Sequence, residues 1–238
     1  RVALSLLFPL MMTILGTLVN HFLHRFQECI KAFDTKLIGV GRLGTYETQI
    51  AQNIVDPKNI TERMTTIGGL QQIKEAIRQH ILVPLKFSKL FFKTSTPVLR
   101  PTRGVLLCGP PGTGKTMLAR AIAAEANCTF INLTLSSLEN KYFGESSKLL
   151  GAAFSLARKS QPCILFFDEI DGMLRARSDG DQSCVYGFKT ELLNNMDGLH
   201  SKRDDAIIVI GCTNCVERLD PAVKRRLPRV YHVDLPNE

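Results

Sequence analysis

The sequence predicts an α/β fold, a parallel sheet of five strands with helices on both faces. Three observations carry this. Short apolar runs alternate with helix-forming stretches, the pattern of repeated strand–helix units. The run Gly109-Pro110-Pro111-Gly112-Thr113-Gly114-Lys115-Thr116 sits between one such strand and one such helix. Polar residues, Asp168-Glu169 and Asn214, stand near the ends of two further apolar runs. Ligands of open parallel sheets collect beyond the carboxyl ends of strands, so these features converge on one crevice.

The elements follow in order. From Val2 to His24 there is no Asp, Glu, Lys or Arg. As a helix this stretch is roughly 34 Å long, enough to cross a bilayer, where Pro9 and Gly16 are tolerated. A buried core helix would show a polar stripe, a signal peptide small residues at its cleavage site, and a matrix presequence many arginines; this stretch has none of them. The reading is one transmembrane anchor over residues 1–25. Arg25, Lys31, Lys36 and Arg42 follow it and only Arg1 precedes it, which predicts that the rest faces the cytosol. Residues 26–60 read as a linker, interrupted by Gly39, Gly41 and Gly44, with a short helix expected over Glu47–Val55. Residues 61–238 form the α/β domain. It opens with the turn Ile67-Gly68-Gly69-Leu70 and a helix over Gln71–Leu82, closed by Pro84.

The five strands are placed at Gly104–Cys108, Thr129–Leu133, Cys163–Phe167, Ala206–Ile210 and Val230–Leu235. Helices are expected over Met117–Glu125 and about Ser146–Ser160. With 238 residues, 45% hydrophobic and 22% charged, the chain holds one such domain with something added. Its net charge of +8 suits an anionic partner without naming one. Seven scattered cysteines, several in expected strands, read as reduced core thiols. Cys212 and Cys215 form a C-x-x-C with no second pair, which argues against metal or redox chemistry there.

Strand, glycine loop and helix together make a phosphate-binding site rather than a plain turn. Backbone N–H groups of the loop curl around phosphate oxygens at the positive end of a helix. Lys115 then reaches the β- and γ-phosphates of ATP, and Thr116 ligates Mg²⁺. Asp168 would hold the Mg²⁺ as well, while Glu169 polarises the attacking water and Asn214 orients it or senses the γ-phosphate. The bland reading of Asp168-Glu169 is a solvated helix cap, which also fits Asp171. Arg225 and Arg226 are either a solvated face or arginine fingers completing a neighbouring subunit's site.

These residues resemble the AAA ATPase family. The matching pieces are Gly109–Thr116, Ile164–Asp171, and the stretch from Gly211 through Leu219-Asp220-Pro221-Ala222 to Arg225-Arg226. Within it the chain is most similar to the membrane-anchored extractases that remove mislocalised tail-anchored proteins from mitochondrial outer and peroxisomal membranes. Met117-Leu118-Ala119 after the loop, Leu227-Pro228 after the arginines, the linker Leu43–Pro57 and the N-terminal span carry that likeness. It departs from that subfamily at Tyr142 and Met196, where tryptophans are expected, and at Thr65-Thr66, where acidic residues are.

The resemblance implies a homo-hexameric ring that threads tail-anchored clients through its pore, with no nucleic-acid partner. It makes Lys141-Tyr142-Phe143-Gly144 the first pore loop, Asp179–Ser183 a second, and lays Ile67, Gly68 and Gly69 against adenine, with Met117 beside the nucleotide. It further implies a helical lid domain, which the five-strand reading leaves outside this sequence. Two other functions stay open at this point: a severing or coat-disassembling ATPase of the same clade, and a nucleotide-binding scaffold without turnover.

Overall fold

Apolar runs of five residues can be buried on both faces only if helices cover the sheet twice, and this arrangement is found. The computed structural model describes residues 43–92, 101–138, 145–174, 183–201 and 204–235. The expected span (1–25) and first pore loop (Lys141–Gly144) lie outside them, as does most of the second. Among the described residues no helix is long and apolar enough to cross a membrane.

In chain order the elements are α1 (Thr45–Ala51), β1 (Ile54–Val55), α2 (Gln71–Ile77), α3 (Val83–Lys86) and α4 (Ser88–Phe92). Then come β2 (Gly104–Cys108), α5 (Lys115–Ala126), β3 (Thr129–Leu133), α6 (Leu135–Leu138) and α7 (Glu145–Lys159). The rest are β4 (Cys163–Phe167), α8 (Ile170–Met173), α9 (Ser183–Ser201), β5 (Ile207–Thr213), α10 (Pro221–Arg226) and β6 (Arg229–His232). The sheet runs β1-β3-β4-β5-β2-β6.

The sheet therefore has six strands, not five, and it is not wholly parallel. β1 pairs antiparallel with β3, Ile54 opposite Ile131, while every other pair is parallel. The expected helix over Glu47–Val55 stops at Ala51 for this reason. Ile54 and Val55 are β-branched and fit a sheet edge better than a helix. Pro57 holds Asp56 extended, and Asn132 N–H reaches back to Asn53 O at 3.0 Å. Pro84 is a second correction, because it does not close its helix. A π-helical turn, Arg78–Leu82, links α2 to α3 and carries the helix past it to Lys86. Val83 N–H bonds five residues back to Arg78 O, and this widening accommodates a residue that lacks an N–H.

The core alternates as strands demand. Val105 and Leu107 of β2, Ile164 and Phe166 of β4, and Ile208, Ile210 and Cys212 of β5 share one cluster with Leu118 and Ile122 of α5. The Phe130 and Phe166 rings stack at 5.4 Å. Leu150 and Phe154 of α7 are buried outside that cluster, where α7 packs on β3, β4, α1 and α9.

Candidate nucleotide-binding and hydrolysis site

The parallel strands β2, β4 and β5 deliver their last residues to one end of the sheet, in adjacent registers. Cys108 pairs with Thr213, and Phe167 with Gly211. A cavity of about 410 Å³ opens there, bringing together the phosphate loop, Asp168-Glu169 and Asn214. Met117 and Cys212 line it too.

Backbone shape explains the glycines. Gly109 has φ 153°, and a Cβ there would stand 2.1 Å from Val233 O, so only hydrogen fits between the loop and the chain beyond β6. Gly114 at φ 83° turns the loop into α5. Lys115 is 8% exposed and donates to Gly109 O at 2.8 Å and to Pro110 O at 2.6 Å. These neutral acceptors give weaker bonds than a phosphate would, so the ammonium is held close to where an anion belongs. Thr116 Oγ1 donates to Asp168 Oδ2 at 3.1 Å, placing a hydroxyl and a carboxylate side by side as ligands for a hard cation. The donor set fits a Mg²⁺-bound triphosphate.

Glu169 follows in the left-handed region (φ 51°, ψ 47°), which costs a non-glycine residue roughly 1–2 kcal/mol. Its N–H bonds to Asp168 Oδ1 at 3.1 Å, and its side chain is exposed at the mouth of the cavity. Asp171, expected to cap or solvate its helix, instead accepts from buried Thr213 Oγ1 at 2.9 Å. The same hydroxyl accepts from Cys215 N–H at 3.0 Å, which sets the backbone on either side of Asn214. The sequence offers no signal for this link, because its partners lie on separate elements.

The arginines lie elsewhere. Neither Arg225 nor Arg226 lines the cavity. Asp220 caps α10, accepting from Ala222 N–H at 2.7 Å, and pairs with Lys189 of α9 at 2.7 Å with both side chains largely buried. At the other end Arg226 grips Asp197 of α9 with two bonds of 2.8 and 3.0 Å, which raises its pKa further. Arg225 is exposed and makes no hydrogen bond or ion pair among the described residues. Ile67, Gly68 and Gly69 line a second cavity of about 660 Å³ with Arg63, Lys74 and Glu125. Burial pushes the Cys128 thiol up to about 12 and that of Cys212 higher still, so both are unreactive core groups.

The sequence pattern of the ATPase family associated with various cellular activities (AAA) matches residues 105–235, more than half of the chain. The chain belongs to this family. A second pattern, parvovirus non-structural protein NS1, matches residues 50–134, which include the phosphate loop. Among AAA relatives, the outer mitochondrial transmembrane helix translocase of Homo sapiens is 43% identical over 203 residues, 84% of this chain and 56% of that protein. Spastin of Sus scrofa is 43% identical over 189 residues, 79% of this chain and 30% of that one. The crystal structure of the FIGL-1 AAA domain in complex with ADP superposes with a TM-score of 0.70 at 34% identity, covering 83% of this chain and 65% of that one. The chain thus spans little more than half the length of the translocases that it matches.

Proposed function

We propose that this AAA chain hydrolyses ATP in a hexameric ring and uses the energy to pull tail-anchored proteins out of a membrane. The observation that carries the hydrolytic half is the single cavity shared by the phosphate loop, Asp168-Glu169 and Asn214. Likeness to the outer mitochondrial transmembrane helix translocases supports the other half, together with the apolar stretch Val2–Leu23 as an anchor. On this reading residues 1–25 anchor the chain, 26–60 link, and 61–238 form the ATPase unit. The membrane is the mitochondrial outer membrane or the peroxisomal one. Spastin's similar identity supports a second reading, severing of a polymer, which lacks a use for the anchor.

Lys115 leaves its loop carbonyls for the β- and γ-phosphates, and Thr116 and Asp168 would hold Mg²⁺. Bound there, Mg²⁺ would supply positive charge against that developing on the phosphates. Glu169 accepts the proton of the attacking water, and Asn214 aligns that water. Arg225 and Arg226 act from a neighbouring subunit, Tyr142 and Phe143 grip substrate between Lys141 and Gly144, and the second cavity, lined by Ile67–Gly69, takes the adenine.

The test uses full-length protein in liposomes bearing a tail-anchored client. ATP should release the client, and Tyr142→Ala/Phe143→Ala should stop release while turnover continues. Turnover should rise steeply with protein concentration and fall roughly 10³-fold or more in Arg225→Ala. A wild-type protein that hydrolyses ATP without releasing any client overturns the translocase reading.

A further inference from the structure

The connector ahead of the sheet meets both ends of α7. The Tyr46 hydroxyl donates to Glu145 Oε1 at 3.3 Å, and Lys148 Nζ lies 5.8 Å from the centre of the Tyr46 ring. The next residue reaches the other end. Glu47 Oε1 accepts from Ser155 Oγ at 2.7 Å, and its Oε2 accepts from Lys159 Nζ at 2.7 Å and Gly44 N–H at 2.8 Å. Glu47 is only 7% exposed. Two adjacent side chains of α1 thus grip the first and last turns of a helix about 21 Å long.

Adhesion alone does not need this. Ile50 and Ala51, 1% and 6% exposed, already bury the apolar face of α1. Apolar contact tolerates sliding, whereas a carboxylate whose oxygens are both bonded allows one register only. Burying a carboxylate is costly in itself, so the cluster serves position. None of its members lines the nucleotide cavity. α7 starts directly after Lys141–Gly144 in sequence, and α1 lies within the connector that leads from the N-terminal segment.

We propose that Glu47, with Ser155 and Lys159, is a positioning residue that locks α1 to α7, so that load taken up at the start of α7 is borne by the connector. Coupling of ATP turnover to substrate movement then depends on Glu47, while turnover itself does not. This rests on the translocase reading. The polar cluster is a rigid joint between the part that is anchored and the part that handles substrate.

The experiment compares full-length wild type with Lys159→Met, Ser155→Ala and the exchange Glu47→Lys/Lys159→Glu. Two readouts are taken: amide hydrogen exchange, and client released per ATP hydrolysed. In Lys159→Met, exchange should quicken about tenfold over 45–51 and 145–150 and stay unchanged over 115–126. Turnover should hold within twofold while release per ATP falls about tenfold. Ser155→Ala should do the same more weakly, and the exchanged pair should recover at least half of the lost coupling. Unchanged protection over 145–150, or turnover and release falling in equal proportion, overturns the joint. The exchange measurement needs no client, so it decides even if the wild type releases none, an outcome that would sink the translocase reading alone.

Discussion

Two glutamates in this chain are held in opposite ways. Glu47 is buried and both its oxygens are bonded, to Ser155, Lys159 and the Gly44 N–H. Glu169 is exposed, and among the described residues no side chain bonds to its carboxylate. The backbones differ too, for Glu47 sits within the regular helix α1 and Glu169 in a left-handed kink after β4. A carboxylate saturated with donors fixes geometry and cannot take up a proton without losing bonds. One held out by a strained backbone, with lone pairs open to water, can. Position and chemistry thus fall to the same residue type in different surroundings.

Breaking the chemical member should have the largest effect. Glu169→Gln should lower ATP turnover by about 10²–10⁴-fold while leaving nucleotide affinity and melting temperature unchanged. Steady-state kinetics with a fluorescent-nucleotide titration reads both, and loss of folding stability in this variant would show Glu169 to be structural.

The structural member should behave in reverse. Glu47→Ala strands Lys159 and Ser155 and should cost about 1–3 kcal/mol of stability, read by urea unfolding, with turnover per folded molecule within twofold of wild type. A fall in turnover as large as that of Glu169→Gln would erase the distinction between the two.

Acid gives the smallest and most specific effect. Burial is the largest influence on Glu47 and favours its neutral form, yet bonds from Lys159, Gly44 and Ser155 outweigh it and hold the pKa below the ordinary 4.5. A carboxyl lowered on folding adds stability that is complete above its unfolded value and lost as pH falls through its folded one. The stability gap between wild type and Glu47→Gln should therefore be constant near neutrality and close as pH drops below 4.5. A gap that widens on acidification would contradict the bonding described.

Much of this was legible in the sequence, and the failures have physical causes. The long core strands β2, β4 and β5 could be read because each is buried along its whole length and almost wholly apolar, the mark of a strand covered on both faces. β1 could not, since two residues at an edge carry no period, and its pairing depends on β3 far along the chain. The phosphate loop, Asp168 and Asn214 were legible because topology alone brings strand ends together. The grip of Arg226 on Asp197 was not, because it is a tertiary contact between polar residues that could equally face solvent. Glu47 was hidden for the same reason, more than a hundred residues from its partners.

The order of strands has a consequence for how the chain is made. β2, which leads into the phosphate loop, lies between β5 and β6, and Cys108 pairs with Thr213 on one side and His232 on the other. Val233 N–H then closes onto Cys108 O at 2.7 Å. At a ribosome adding about 5–20 residues per second, β2 waits on the order of ten seconds for its second neighbour. Through that interval an apolar strand has open edges, a hazard that chaperones cover. Val233, just beyond the last strand, packs against Gly109 of the phosphate loop, and a ligand that binds the finished sheet alone favours chains that have completed it.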